Sequence, residues 1–225
     1  MPNRAPSELV WDAPAPSGNR GGGLTREAIV AAAIAVADSE GLDAVSIRRV
    51  AGDLRVRPMS LYTHIASKED LLDLMVNEVV AEALVPEPPP DDWRAAVREI
   101  AVRSHDAFVA HPWTLQAFSQ RPRVGPNTLR HAEQSSAAVA GLGLDPRTAA
   151  TLLAVVDDYA LGHAMRAIFT PHEAKLRELV DERLSKVDPS DFPHLTAGEL
   201  ALPRDDSFEL GLEALLDGLE RTLMR

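Results

Sequence analysis

Residues 46–68, SIRRVAGDLRVRPMSLYTHIASK, predict two short helices joined by a tight turn. Ser46 can cap the first helix, expected over residues 46–54, because a serine hydroxyl accepts a backbone N–H of the first turn. Pro58 can begin the second helix, expected over residues 58–64, because proline suits the first helical position.

The second of these helices is too short to be stable alone. Leu61 is therefore expected to hold it against Val50 and Leu54 of the first helix, which leaves its other face free. Two short helices joined in this way predict a helix-turn-helix, whose second helix enters the major groove of DNA.

The stretch closely resembles the DNA-binding segment of the tetracycline-repressor (TetR) family, over about residues 25–84. The motifs that carry the resemblance are Leu61-Tyr62 with His64, then Lys68 and Leu71-Leu72, and upstream Glu40-Gly41-Leu42 and Val50-Ala51. One position departs, because the turn usually carries glycine and here it carries Arg55. A left-handed turn is uncommon for arginine, so the turn is expected to be either strained or differently shaped.

The complete motif favours contact with DNA over a merely solvated helical surface. Tyr62 and Lys68 are expected to contact phosphates, and Arg48 can reach a phosphate or a guanine edge. The side chains expected to face base edges or the sugar walls are Pro58, Met59, Ser60 and His64. Arg49 and Arg57 are left open.

The composition describes a cysteine-free chain of 225 residues with 45% apolar residues, enough for a packed core. The absence of cysteine excludes a disulfide framework and thiolate metal sites. No run of about 18 apolar residues is present, so no membrane span is expected. The N-terminus lacks the order of a signal peptide, and the expected location is the cytoplasm.

The charge is unevenly distributed. A net charge of −11 argues against nucleic acid when it is taken over the whole chain. Residues 20–68, however, hold seven Lys or Arg and five Asp or Glu, a net of +2, whereas residues 69–225 hold 15 and 27, a net of −12. The sequence therefore predicts a weakly basic head that touches DNA and an acidic body that is kept off it.

The rest of the chain shows helical periodicity and no convincing strand, so an all-α fold is predicted. Further helices are expected over residues 25–39, 67–84, 93–110, 113–120, 128–140, 146–169, 171–187 and 207–223, with a loop over 188–206. Residues 1–23 are expected to form a disordered tail. Four prolines in residues 86–90 predict a boundary between a DNA-binding domain with its linking helix (24–85) and a body (86–225) for ligand binding and dimerisation.

Two helices are candidates for a dimer interface. The helix over 146–169 is apolar almost all round, which predicts burial on most sides. The last helix carries a long apolar stripe that includes Leu215 and Leu219. The TetR resemblance implies that these two helices pair with their copies in a four-helix interface of a homodimer. A symmetric protein in turn implies a palindromic double-stranded operator.

The resemblance also implies a pocket for a small-molecule inducer among the body helices. The candidate ligand-binding residues are Ser104, Phe108, Trp113, Phe118, Asp157, Asp158 and Tyr159. Each aromatic side chain has an alternative role as ordinary core, and residues 113–120 are a candidate lid. The two acids lie on a mostly apolar helix, where a carboxylate needs a partner. That partner is an arginine (Arg103, Arg130 or Arg166), a cationic ligand or the second copy.

Enzymatic function is not expected. His105, Asp106 and His111 lack the i, i+4 spacing that puts metal ligands on one helix face. The sequence has no phosphate-binding glycine loop and no nucleophile elbow, and neither a metal nor a cofactor is predicted. The function that fits best is a ligand-responsive transcriptional repressor. The alternative is a DNA-independent interaction protein that retains the helix-turn-helix as a structural element.

Overall fold

The computed structural model describes Trp11 and residues 24–120, 123–169, 173–196 and 206–223. Every regular element in these ranges is helical, so the predicted all-α class is confirmed. The tail predicted over residues 1–23 lies outside the described residues, apart from Trp11. None of the described helices is both long and apolar enough to cross a membrane.

The head contains three helices and a short 3-10 turn at Leu42–Ala44. The helices are α1 (Arg26–Glu40), α2 (Ile47–Asp53) and α3 (Pro58–Leu61). Thr25 and Ser46 cap the first two of them, because each hydroxyl accepts a backbone N–H three residues on. Leu61 is completely buried against the same core as Val50, as the sequence predicts.

A linking helix and seven body helices follow. They are α4 (Lys68–Glu82), α5 (Trp93–Ala110), α6 (Trp113–Gln120), α7 (Pro126–Ala140), α8 (Pro146–Phe169), α9 (Glu173–Leu184), α10 (Pro193–Thr196) and α11 (Ser207–Leu223). α10 and a 3-10 turn at Pro189–Asp191 lie where the sequence predicts a loop. A proline begins each of these two short elements, and Asp188 caps the first.

Two buried apolar clusters hold the chain together. The first joins α1 to α4 and also includes Ala107, Trp113 and Ala117 of the body. The second lies between α5, α8 and α11 and includes Leu152 and Leu212. The first cluster therefore crosses the boundary predicted near residue 86, and head and body share a packed interface.

The turn of the helix-turn-helix keeps its usual shape despite Arg55. This residue has φ +55°, in the left-handed region. Its N–H donates to the carbonyl of Gly52 (3.1 Å), and the N–H of Val56 donates to the carbonyl of Ala51 (3.0 Å). These two bonds define the Schellman motif, whose left-handed position usually carries glycine. The turn is thus strained rather than differently shaped.

The prediction that α8 is buried on most sides is wrong for the single chain. Met165 is 45% and Phe169 is 66% exposed, and on the neighbouring helix α11 Leu210 is 62% exposed. Leu215 and Leu219, expected at the dimer interface, pack partly against the chain's own second core. The helical period correctly indicates an apolar stripe, but it does not tell which part of the stripe the chain covers by itself.

Replacing Arg55 with glycine should stabilise the protein by about 1 kcal/mol, because glycine adopts the left-handed conformation without a Cβ clash. The measurement is chemical unfolding of the two proteins. Arg57→Gly is the matched control: it removes the same charge, but Arg57 has φ −75°, so that variant should gain nothing. Equal stability changes in the two variants would contradict a strained turn.

Candidate DNA-binding surface and ligand cavity

On and around α3, several of the side chains that the sequence assigns to DNA are exposed. Met59 is 67% and Tyr62 is 39% exposed, and Pro58 and Lys68 are exposed as well. Burial of Leu61 on the opposite side fixes this orientation. The surface therefore has the shape expected of a helix that enters a groove.

Ser60 and His64 are only half exposed. The carbonyl of His64 accepts a bond from Arg26 Nε of α1 (3.3 Å). The carbonyl of Ser60 accepts from the hydroxyl of Thr63 (2.7 Å). The first bond ties the segment after α3 to α1, and the second closes the end of α3 locally. Both use backbone oxygens, so the two side chains are left available for contact.

The two neighbouring arginines of α2 differ. Arg48 is exposed and makes no hydrogen bond or ion pair with the described part of the chain. Arg49 is bonded to Glu40 (2.6 Å) and to Asp53, and these bonds raise the pKa of its guanidinium. Arg48 is therefore free for a phosphate or a base, whereas Arg49 is already neutralised by two carboxylates.

A partly open cavity of about 230 Å³ lies between the linking helix α4 and the body helices α5, α6, α7 and α8. Five of the seven predicted ligand-binding residues line it, namely Ser104, Phe108, Phe118, Asp157 and Asp158. The other lining residues include three valines of α4, Val76, Val79 and Val80, and Ala83 directly after its end. An apolar cavity with a few polar groups is the usual form of a small-molecule site.

Trp113 does not line the cavity. It is 4% exposed and packs in the first core. Its Nε1–H donates to the Asp38 carboxylate of α1 (2.7 Å). The start of α6 is therefore attached to the head, and the residues of α6 that reach the cavity are Thr114 and Phe118.

Tyr159 also lies outside the cavity lining, on the α11 side of α8. Its ring stacks on Phe208 with centroids 5.6 Å apart. Its hydroxyl donates towards the carbonyls of Ser207 (3.1 Å) and Phe208 (2.9 Å). Tyr159 therefore holds the first turn of α11 rather than a ligand.

His131 of α7 is a cavity residue that the sequence analysis missed. Its Nε2 lies 3.1 Å from the hydroxyl of Ser104, and burial lowers the pKa of the imidazole, which favours the neutral ring. A signal was available: Thr128, His131 and the buried Ser135 recur at spacings of three and four, so they share the inward face of α7.

Asp157 and Asp158 have no basic partner in the described chain. The three candidate arginines bond elsewhere: Arg103 to Glu99, Arg130 to Asn127 and Arg166 to Ser207. Both acids are exposed in the single chain. Desolvation by the surrounding cavity walls, followed by the charge of Asp158, raises the pKa of Asp157 to about 6. The cavity thus contains a carboxyl that is costly to ionise and open to a ligand.

The segment before and within α6 bridges body and head. His111 lies between two carboxylates, with Nδ1 2.8 Å from Asp38 of α1 and Nε2 3.2 Å from Glu82 of α4. Gln116 donates to Asp43 beyond α1 (3.2 Å). The helix that presents Thr114 and Phe118 to the cavity therefore touches the head directly.

Metal binding has no evident place in this arrangement. His105 and Asp106 contact each other (3.0 Å), whereas His111 lies at the head. In the ranges that the structure describes, no three His, Asp or Glu side chains are positioned to hold a metal ion.

Comparison with known proteins matches both halves of the chain to family models. Residues 29–75 match "Bacterial regulatory proteins, tetR family", and residues 85–223 match "Tetracyclin repressor-like, C-terminal domain". A similar protein is the HTH-type transcriptional repressor DrrR1 of Streptomyces coeruleorubidus. It is 31% identical, and the match covers 95% of this chain and 84% of that protein.

A similar solved structure is the Streptomyces coelicolor TetR family protein ActR in complex with actinorhodin. It superimposes with a TM-score of 0.70 at 33% identity, over 91% of this chain and 100% of that one. An HTH-type transcriptional regulator of Saccharopolyspora erythraea is 30% identical over 95% of this chain and 92% of its own length. The likeness extends through head and body alike.

Proposed function

Because the chain belongs to the tetR family of bacterial regulatory proteins and is a ligand-responsive DNA-binding repressor, we propose how it reads its operator, which ligand it senses and how the ligand acts. Family members act as dimers. The observation that carries the proposal is that one helix, α6, contacts both the cavity and the head. We place this regulator in the cytoplasm with the DNA that it binds.

The free face of α3 enters the major groove. Met59, Ser60 and His64 face base edges, with Pro58 at the sugar wall. The support is that Met59 is 67% exposed while Leu61 is completely buried, so α3 turns one side towards the head core and another towards solvent. Tyr62, Lys68 and Arg48 bind phosphates around them. Arg49 takes no part, since Glu40 and Asp53 already occupy its guanidinium.

The homodimer forms through the outer faces of α8 and α11. Exposed apolar side chains on these two neighbouring helices support this surface, since a monomer rarely leaves such a patch uncovered. The side chains concerned are Met165, Phe169 and Leu210. Two heads related by a two-fold axis then require a palindromic operator.

The inducer is a small cationic molecule with an apolar body. Its positive group pairs with Asp157 and Asp158, which no arginine of the described chain neutralises. Its apolar part contacts Phe108, Phe118 and the valines of α4. The neutral pair formed by Ser104 and His131 supplies a hydrogen bond to an uncharged polar group.

Ligand binding reaches the head through α6. A molecule in the cavity contacts Thr114 and Phe118, and a shift of α6 carries Trp113, whose indole N–H holds Asp38 of α1. Moving α1 changes the separation of the two recognition helices. Because both must reach successive major grooves, a small change of spacing lowers operator affinity.

The chain is not proposed to be an enzyme, since the relatives named above are transcriptional regulators. A gel shift distinguishes this DNA-binding repressor from the alternative, a DNA-independent interaction protein. Duplexes selected by the wild-type protein from a random pool, and the DNA upstream of its own gene, are the probes. Absence of any preferred duplex at low salt would favour the alternative.

Replacing Lys68 with alanine should weaken binding to all duplexes alike and should reduce the slope of log affinity against log salt by about 0.9, one phosphate's worth. Ser60→Ala and His64→Ala should instead change base preference, by about 1–3 kcal/mol at one position. Lys175→Ala, an exposed lysine of the body, is the control for charge. Equal slopes for the two lysine variants would contradict the docking.

Replacing Leu210 with glutamate should yield a folded monomer, because a two-fold interface doubles each buried charge. Sedimentation velocity measures the mass, and circular dichroism measures the fold. Leu129→Glu is the matched control, since Leu129 is also 62% exposed but belongs to α7, which is not part of the proposed dimer face. Intact dimers in the Leu210 variant would show that the interface lies on another face of the protein.

The cavity should prefer phenyltrimethylammonium over its uncharged isostere tert-butylbenzene, and calorimetry or ligand-observed NMR measures both. Affinity for the cation should fall as pH drops through about 6, because Asp157 becomes neutral there, and it should not change for the isostere. Asp157→Asn should lower affinity for the cation about tenfold, the scale of one charged hydrogen-bonding contact. Equal binding of cation and isostere would exclude a cation site.

The same probe separates binding from transmission. Trp113→Phe keeps the aromatic ring and removes only the N–H that reaches Asp38. This variant should bind phenyltrimethylammonium with wild-type affinity but release the operator poorly. Ser119→Ala is the control on α6, because its hydroxyl bonds only within that helix. If Trp113→Phe responds like the wild type, the route through α6 is wrong, whereas the cation site stands.

A further inference from the structure

A continuous chain of hydrogen bonds joins α8, α11 and α5 outside the ligand cavity. Arg166 donates to the hydroxyl of Ser207 (3.1 Å), and this hydroxyl lies 3.1 Å from Nε2 of His163. Nδ1 of His163 lies 3.1 Å from Nε2 of His105, whose Nδ1 lies 3.0 Å from the carboxylate of Asp106. Neither DNA contact nor ligand binding uses these five residues.

The partners at the two ends fix the direction of the chain. A guanidinium only donates and a carboxylate only accepts. Ser207 therefore donates to His163, His163 donates to His105, and His105 donates to Asp106. Each imidazole then carries one proton, and every donor meets an acceptor. Burial, followed by the charges of Arg166 and His105, lowers the pKa of His163, in agreement with a neutral ring.

This chain of bonds fastens the first turn of α11. Phe208, the residue after Ser207, stacks on His105 with centroids 4.0 Å apart and an interplanar angle of 18°. On its other side it stacks on Tyr159, whose hydroxyl bonds the carbonyls of the same turn. The two histidines therefore hold the first turn of α11 against α5 and α8.

Added protons disturb this arrangement in two steps. The histidine pair can take up one proton if the direction of its hydrogen bonds reverses. Nε2–H of a doubly protonated His105 then donates to Nδ1 of His163, and Nε2–H of His163 donates to the hydroxyl of Ser207. A second proton makes both imidazoles positive, and Nε2–H of His105 then points at Nδ1–H of His163, so the bond between the two rings is lost. The other charged or titratable neighbours are Asp106 on α5, Arg166 and Tyr159 on α8, and Glu209 on α11. Arg166 opposes the second charge on His163.

We propose that the His105–His163 pair is an acid-sensitive clasp on α11, through which falling pH weakens the dimer. The exposed Leu210 of the proposed dimer face lies two residues beyond Phe208, so a loosened first turn displaces it. The rest of α11 is held separately, by ion pairs from Arg94 to Glu213 and Asp217. Acid therefore loosens one end of the helix and leaves the fold in place.

The sign of the effect follows from the direction of the pKa shift. A histidine whose pKa is lower in the folded than in the unfolded state favours folding while it is neutral. That contribution is complete above the unfolded pKa and is lost as pH falls through it towards the folded pKa. The clasp is thus closed in neutral and weakly alkaline solution and opens in acid.

Sedimentation velocity of the full chain between about pH 8 and about pH 5, the range in which histidines titrate, tests the proposal. The wild-type dimer dissociation constant should rise about tenfold or more, the scale of one lost hydrogen bond in each protomer. His105→Gln and His163→Gln keep an amide for hydrogen bonding but cannot be charged, so their dimers should respond less. His194→Gln, an exposed histidine of α10, should behave as the wild type.

Nitrogen-detected NMR of the imidazoles in the wild-type protein provides a second readout that requires no variant. We expect the protonation of one ring to depend on that of the other, and we expect the proton of neutral His163 to move from Nδ1 to Nε2 when the first proton is added. Independent titration of the two rings, or identical pH profiles for all dimers, would overturn the clasp. If the wild type is monomeric at pH 8, the proposed dimer face fails, and the coupled titration still decides whether the histidines act as one unit.

Discussion

The Asp38 carboxylate joins the head to the body, and the coupling between them depends on it. One oxygen lies within hydrogen-bond distance of both the Trp113 indole N–H and Nδ1 of His111. Both partners come from the body side of the predicted boundary, and Trp113 is also part of the head's own core. The head is therefore packed directly against the body, because α1 and the start of α6 share these contacts.

The linking helix α4 is held to the body by a second set of polar contacts. Asp73 pairs with the buried Arg123, and Asn77 accepts two bonds of 2.9 Å from Asn127, one from its backbone N–H and one from its side-chain amide. Beyond its end, Val85 exchanges two backbone bonds with the Gln134 side chain, of 3.0 and 2.8 Å. Because α4 and α7 both line the cavity, these bonds tie two of its walls together.

Local sequence signals are sufficient for the long helices, but they miss the short α10 and do not identify which residues the helices contact. The bounds of α5, α6, α8 and α11 follow from caps, prolines and apolar periods, which act over a few residues. Trp113 and Tyr159 were assigned to the cavity, yet each serves a contact with a residue far away in sequence. A helical period tells which face is inward but not which neighbour that face meets. For the same reason His131 was not predicted, because its partner Ser104 lies on another helix.

The acidic body has two consequences for a DNA-binding protein. Residues 69–225 carry a net charge of −12, which opposes contact with phosphates outside the head and attracts cations towards the cavity. Within the cavity, ionised Asp157 has no basic partner among the described residues, so its ionisation carries a cost that the proposed cationic ligand would remove. A ligand shifts an equilibrium only by its differential affinity for the two states. An uncharged molecule of the same shape leaves the carboxyl unpaired, and it therefore has less free energy available to move α6 and the head.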